Sequence, residues 1–252
     1  MKSNFFNLHY LIAVAMSAVI TLALPGCSND DNDDAPEVPK IVKRMKSIDE
    51  NDFVYTNGKI THILEEGDNI ADIDYATSII RIDGHVNYAG TYYVEDGLVY
   101  KYVDDDNSGY QEFVYEDGHI VSWKKYYDSG EEYISFEWKD GVIVRQTEYD
   151  NDYYYDVVEL HCDYQFDYTN EPDYGGAIAC FQSDSMFYDD LPAALIVQGF
   201  FGVWPKYLVS GAKDLSGNFS GQHSFSYVLD KDGYPLNMNG YESAKFTWET
   251  LN

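Results

Sequence analysis

From about residue 47 onward, apolar and polar residues alternate over short stretches, and turn signals separate the stretches. A period of two is the pattern of a half-buried strand. Asn57-Gly58, Asp83-Gly84, Asp96-Gly97, Asp117-Gly118 and Asp140-Gly141 are dipeptides that two-residue type I′ hairpins prefer, because both central residues need positive φ. Looser turns lie between them at Glu66-Gly67-Asp68, Asp104 to Gly109, Asp128-Ser129-Gly130 and Asp150-Asn151-Asp152. Successive turns stand about ten to sixteen residues apart, which leaves room for single strands and none for helices.

The tight turns share their flanks. Tyr55, Val94, Tyr115 and Trp138 sit two residues before the turn, and Ile60, Val99, Ile120 and Ile143 sit three residues after its first residue. These positions face each other across a two-residue hairpin, each an aromatic or Val against a β-branched partner, worth roughly 0.2–1 kcal/mol. Asp232-Gly233 lacks such a pair and is not one of the repeats. Turns of a meander project from alternate ends. The order predicts Asn57-Gly58, Asp83-Gly84, Asp104–Gly109, Asp128–Gly130 and Asp150–Asp152 at one acidic end, and the turns at Gly67, Gly97, Gly118 and Gly141 at a compact one.

Simple alternation in the Glu112–Tyr127 hairpin puts Phe113, Tyr115 and Ile120 on one face and Val114, Val121 and Trp123 on the other. A sheet apolar on both faces must curl, close or be covered. Scattered Lys and Glu argue against a lipid-facing belt. From about Asn170 to Gly221 the pattern breaks. There Leu191 to Gln198 suits one short helix, and an apolar run, Gly199 to Pro205, follows; a connector of this kind plugs or caps a barrel or packs on one sheet face. Strands resume near His223–Leu229 and Ala244–Thr250. The expected fold is all-β: an antiparallel up-and-down meander closing into a barrel or a strongly curled sheet, with one short helix near residues 190–200.

The N-terminus reads differently. Lys2 opens a polar start, an apolar run covers roughly Leu8 to Leu24, and Leu24-Pro25-Gly26-Cys27 precedes an acidic stretch. This is a secretory signal cut before a cysteine, and it resembles the lipobox of bacterial lipoproteins, with Cys27 carrying the lipid. The expected division is a signal peptide over 1–26, an acidic flexible tether over 27–45 and one β domain over 46–252. Ser28 to Pro39 carries five acids and two prolines, a tether composition. Lys40, Lys43, Arg44 and Lys46 then form a basic patch, read as the lead-in to the first strand, pairing with acidic neighbours.

Composition bounds function more than it assigns it. The formal net charge is −28. Such acidity excludes nucleic acid as a partner and opposes close adsorption to anionic lipid. The 25 tyrosines suit strand packing first and a sugar- or protein-binding face second. Cys162 and Cys180 are either a bridge, which an oxidising compartment permits, or two buried thiols.

At this point the chain resembles a Bacteroidetes lipoprotein family catalogued as a domain of unknown function with a porin-like barrel fold. The likeness rests on Cys27 with its acidic run, the basic entry into the first strand, and two repeat units. These are Phe53-Val54-Tyr55-Thr56-Asn57-Gly58-Lys59-Ile60 and Phe113-Val114-Tyr115-Glu116-Asp117-Gly118-His119-Ile120. The stretch Tyr168-Thr169-Asn170-Glu171-Pro172 adds to it. The resemblance implies a twisted barrel and no known activity. It also implies an outer-membrane address, facing the cell exterior or, as the alternative, the periplasm. The repeat units are locally similar to the tyrosine–aspartate repeats of large toxin shells.

Candidate chemistry is sparse. Asp104, Asp106 and Ser108, with Gly109, sit like the first positions of a calcium loop, but Tyr115 stands where a bidentate Glu belongs. A solvated turn competes with Ca2+ there, and no other cofactor is expected. Ser210-Gly211-Ala212-Lys213 and Ser122-Trp123-Lys124-Lys125 both match Ser-x-x-Lys with no Lys-Thr-Gly anywhere, which marks chance. His161 and Cys162, as strand neighbours, are expected on opposite faces, a poor metal pair. Trp204 and Trp123 are the candidate rings for ligand stacking. The expectation is a non-catalytic module binding a glycan, a small ligand or a partner protein. A polysaccharide hydrolase and a purely structural envelope component are the alternatives.

Overall fold

A computed structural model of the chain describes residues 42–105, 109–154, 157–177, 186–187, 191–219, 221–240 and 243–251. The signal and tether residues up to 41, Cys27 among them, lie outside the described residues, as do Asp106, Ser108 and Cys180.

Among the described residues the chain forms seventeen strands and one short helix. The strands are β1 Lys43–Ile48, β2 Asn51–Thr56, β3 Lys59–Glu65, β4 Asp68–Tyr75, β5 Ile79–Gly84, β6 Gly90–Glu95, β7 Leu98–Asp104, β8 Gly109–Glu116 and β9 His119–Tyr127. They continue as β10 Gly130–Lys139, β11 Val142–Asp152, β12 Val157–Pro172, β13 Tyr207–Asp214, β14 Gln222–Ser224, β15 Ser226–Leu229, β16 Pro235–Asn239 and β17 Ala244–Thr250. The helix, α1, is Ala193–Ile196. All pairings are antiparallel. Strands β1 to β14 pair in sequence, β15 to β17 do likewise, and β17 returns to β1, giving a nearly closed barrel. The circuit passes from β14 to β15 through Phe225, whose N–H still donates to Ser210 O at 2.9 Å.

Two residues of the basic patch, Lys43 and Arg44, find acidic partners near the seam between β1 and β17, and Lys40 lies outside the described residues. Lys43 Nζ sits 2.5 Å from Asp230 and 2.6 Å from Asp232, and Arg44 pairs with Glu249. Ser47 and Thr247 share a hydroxyl hydrogen bond of 2.6 Å. Strand β1 therefore takes in residues 43–45 of the stretch expected as tether.

Among the described residues, five turns carry the two consecutive positive φ values of type I′. They are Asn57-Gly58, Glu66-Gly67, Asp96-Gly97, Asp117-Gly118 and Asp140-Gly141. Asp83-Gly84 is not one of them: it ends β5, and residues 85–89 lead on to β6. The predicted cross-strand pairs form at Tyr55–Ile60, Val94–Val99, Tyr115–Ile120 and Trp138–Ile143. Behind each pair the register slips by one residue, a β-bulge on the second strand.

That bulge corrects the face assignment. After Ile120 the extra residue is Val121, so Trp123, not Ser122, comes back to the interior, opposite Phe113. The same slip puts Ile63, Tyr102 and Gln146 inside after Ile60, Val99 and Ile143. Simple alternation misses all four.

The end assignment also changes. The sequence gives no Gly or Asp signal at residues 76–78, yet β4 turns into β5 there, with Ala76 N–H donating to Ile79 O at 2.8 Å. One unseen turn exchanges the two turns before it. Asn57-Gly58 thus joins the compact end, with residues 76–78 and the turns at Gly97, Gly118 and Gly141. Glu66-Gly67 joins the acidic end. Strands β13 and β16 are also additions. The run Ser210-Gly211-Ala212 in β13 offers neither alternation nor bulk, and both faces of β13 are buried over much of its length.

The interior is packed with Ile, Val, Phe, Tyr and Trp side chains. The long β12–β13 connection supplies the plug: Leu195, Ile196 and Phe201 are buried at its centre, with Phe187 against Phe166. The plug binds the compact rim through backbone groups. Phe200 O accepts from Val99 N–H (2.8 Å), Val203 N–H donates to Gly118 O (2.9 Å), and Lys206 N–H donates to Gly141 O (3.0 Å). Gln198 accepts from Ile60 N–H (3.2 Å) and donates to Tyr75 Oη (2.8 Å).

A second set of bonds joins each hairpin to the one before it. Tyr75 donates to Ile60 O, Tyr115 to Val99 O, Trp138 to Ile120 O and Tyr168 to Ile143 O, at 2.7–2.8 Å. Tyr55 likewise donates to Met45 O at 2.6 Å. Met45 apart, the acceptors are the carbonyls of the β-branched partners at the rim. Val94 stands at the aromatic position in its hairpin without a side-chain donor, and its N–H reaches Ser78 O instead.

Candidate functional site

The outer face of β7 to β12 carries two adjacent rows of side chains, fixed by cross-strand register. The first runs Lys101, Glu112, Lys124, Tyr133, Tyr149, Leu160. The second runs Val103, Tyr110, Tyr126, Glu131, Asn151, Val158. Neighbouring strands lie about 4.8 Å apart, so each row is a continuous line of contacts. Tyr133, Tyr149, Leu160 and Val158 are exposed, as are Tyr153 and Tyr154 in the connection after β11. Isolated exposed apolar residues are ordinary, whereas a contiguous patch marks an interaction surface.

The rows are held in place by charge and ring contacts. Tyr110 and Tyr126 stack with centroids 4.3 Å apart and planes 15° from parallel. Lys101 Nζ lies 4.2 Å from the Tyr110 centroid, and Lys124 Nζ 4.8 Å from that of Tyr126, both cation–π distances. Glu131 receives Lys124 (2.7 Å), Tyr153 Oη (3.1 Å) and Asn151 (3.4 Å). Lys124 foremost holds the Glu131 carboxyl below the usual carboxylate range. At the acidic rim these residues border a hollow of about 320 Å3, lined by Lys101, Val103, Gly109, Tyr110, Tyr126, Tyr127 and Asp128. Gly109 stands opposite Tyr127. A Cβ there would meet Tyr126 O at 2.5 Å, so the position has no room for a side chain.

A polar knot lies inside the barrel on β9 to β12. Glu148 is buried, and Cys162 Sγ is 3.7 Å from its Oε2. Lys125 pairs with Glu132 at 3.0 Å and lies over the Trp123 ring. Burial pushes the Glu148 carboxyl up to about 7, with Lys125 opposing, and burial also raises the Cys162 thiol well above its ordinary range. A protonated thiol against a carboxyl is a packing arrangement rather than a nucleophile. His161 is the extra residue of a bulge and reaches Asp150 at 3.1 Å. Among the described residues, no three His, Cys, Asp or Glu side chains are grouped to hold a metal ion.

The two tryptophans singled out for stacking lie elsewhere. Trp123 is 1% exposed, stacked on Phe113, with Nε1 donating to Gln111, so no ligand outside the barrel reaches its ring. Trp204 is half-buried on the plug, its Nε1 donating to Asp173 O at 3.3 Å and its ring lying over Gly176. Asp104 ends β7, and its neighbour Asp105 pairs with Arg81 at 2.8 Å. The outer rows were missed because their register depends on the bulge at Val121. Counting back from Asp117-Gly118 with that extra residue places Tyr110 against Tyr126. Counting without it places Tyr110 against Lys125.

No protein-family model matches this chain, and no curated protein matches it. Solved structures do. A porin-like protein from Bacteroides vulgatus superposes with a TM-score of 0.62 at 14% identity, over 83% of this chain and 100% of that one. A porin-like protein from Bacteroides uniformis superposes with a TM-score of 0.57 at 14% identity, over 79% of this chain and 90% of that one. At that identity the shared property is the barrel-like all-β fold.

Proposed function

We propose that this protein is a lipid-anchored envelope module that binds its ligand with the outer surface of the barrel and does no chemistry on it. The carrying observation is the division between inside and outside. The interior is filled by core side chains and the plug, whereas the exposed aromatic rows lie outside. The outer face also carries Lys101, Glu112, Lys124, Glu131 and Arg145 along its strands, where a membrane-spanning barrel needs an uncharged belt. The porin-like Bacteroides neighbours support an envelope protein of barrel fold. The resemblance to lipoproteins of that phylum, through Cys27-Ser28 and the acids after it, supports a lipid at Cys27 and an outward-facing position on the outer membrane.

Two measurements test this. In membrane fractionation, Cys27→Ala moves the protein from the membrane to the soluble fraction; retention on the membrane refutes the anchor. Polysaccharides incubated with the protein keep their chain length by chromatography; shortened chains refute the binding-only role in favour of a hydrolase.

A further inference from the structure

We propose that the rim hollow between β7 and β9 is a subsite for one unit of a neutral glycan chain, with the rest of the chain lying along the outer rows. This rests on the binding-module reading above and names its ligand. Three features of the hollow point to a sugar. Its size, about 320 Å3, is at the lower end of small-ligand sites. Its lining is amphipathic in the way a pyranose is: the exposed Tyr127 ring and the edges of the Tyr110–Tyr126 stack, whose outer faces the lysines cover, offer apolar surface to C–H groups, and polar atoms stand around them. Those polar atoms are of both kinds. Lys101 Nζ donates, the Asp128 carboxylate accepts, and the Tyr126 and Tyr127 hydroxyls, which donate to Glu112 (3.4 Å) and Glu132 (3.5 Å), accept, which suits hydroxyl groups that both donate and accept.

Charge decides between neutral and acidic glycans. Around the hollow stand Asp128, Glu112 and Glu131 against Lys101 and Lys124, while Glu132 is paired with Lys125 at 3.0 Å. Both lysines already face carboxylates, Lys101 with Glu112 at 3.9 Å and Lys124 with Glu131 at 2.7 Å. A uronic or sulfated chain would meet uncompensated negative charge there and on a protein of net charge −28. The hollow is preorganised, because the Tyr110–Tyr126 stack and the two lysines already fix its wall. Little rotamer freedom remains to be lost on binding.

The test is titration of the full chain in detergent with cello-, malto-, manno- and chito-oligosaccharides, with an oligogalacturonate as the acidic counterpart, read by calorimetry and saturation-transfer NMR. A neutral oligosaccharide binds, and Tyr127→Ala and Asp128→Ala each weaken it by about tenfold or more. Tyr127→Phe, which keeps the ring, retains most of the affinity, and Tyr100→Ala, an exposed ring outside the hollow, leaves it unchanged. Thermal melts of these exposed-site variants match the wild type, so the loss is read as loss of the site. Undiminished binding in Tyr127→Ala and Asp128→Ala overturns the hollow while leaving a glycan-binding module. Equal or tighter binding of oligogalacturonate overturns the charge argument. No binding by any neutral oligosaccharide overturns the ligand class, and the Cys27 anchoring experiment then judges the envelope reading on its own.

Discussion

Glu148→Gln is the sharpest perturbation of the interior. In the folded chain, burial raises the Glu148 carboxyl from its ordinary 4.5 to about 7. A raised carboxyl means that the native state holds the proton more tightly than the unfolded chain. Stability is therefore greatest below about 4.5 and falls as pH rises, until the folded group has ionised near 7. At 1.36 kcal/mol for each pH unit between those values, the loss reaches about 3 kcal/mol. Glutamine has the same shape, still accepts the Cys162 thiol and carries no charge to bury. In urea unfolding, the variant matches the wild type within a few tenths of a kcal/mol at pH 4.5 and exceeds it by about 2–3 kcal/mol at pH 8.5. A difference that does not change with pH, or a variant less stable at pH 8.5, refutes the reasoning.

Three other substitutions probe the rim. Tyr115→Phe removes the donor to Val99 O and costs about 1–1.5 kcal/mol in urea unfolding, whereas Tyr133→Phe, on the exposed outer row, costs nothing measurable. Asp117-Gly118→Ala-Ala forces alanine into φ values of 49° and 79° and lowers the melting temperature by several degrees; an unchanged melt refutes the turn. Gly202→Ala, at φ 85°, drives a Cβ into Gly118 O, and hydrogen exchange at Val203 N–H then rises relative to the rest of the rim.

Much of the barrel was legible because its signals are local. An Asn or Asp before Gly sets the turn, and an aromatic against a β-branched residue sets the first pair. The short helix was legible from the apolar run that now forms the plug. The failures share a physical cause: they depend on single residues that leave no composition signal. The bulge at Val121 moves Trp123 from the outer face to the core. The turn at 76–78, built from Ala, Thr and Ser, exchanges the ends of two earlier turns. Strand β13, with its small residues, is defined by the strands on either side of it. The candidate site suffered most, because Tyr110, Tyr126 and Glu131 are brought together only by correct register over three strands. The aromatic residues that looked most functional in the sequence are largely structural, and the tyrosines of the outer rows were hidden among the 25 tyrosines of the chain.

The bonds from each rim aromatic to the carbonyl of the preceding hairpin have a consequence for how such a barrel can change size. Each hairpin brings its own donor and its own acceptor, so the links run in series around the rim rather than converging on a hub. A hairpin inserted between two others would take up one broken link and supply a new one, leaving the rest untouched. The gap at Val94 is tolerated for the same reason. Circumference is then set by how many hairpins the chain contains, and the limit on growth is the plug, whose 191–206 segment must still reach the rim from Ile60 to Gly141.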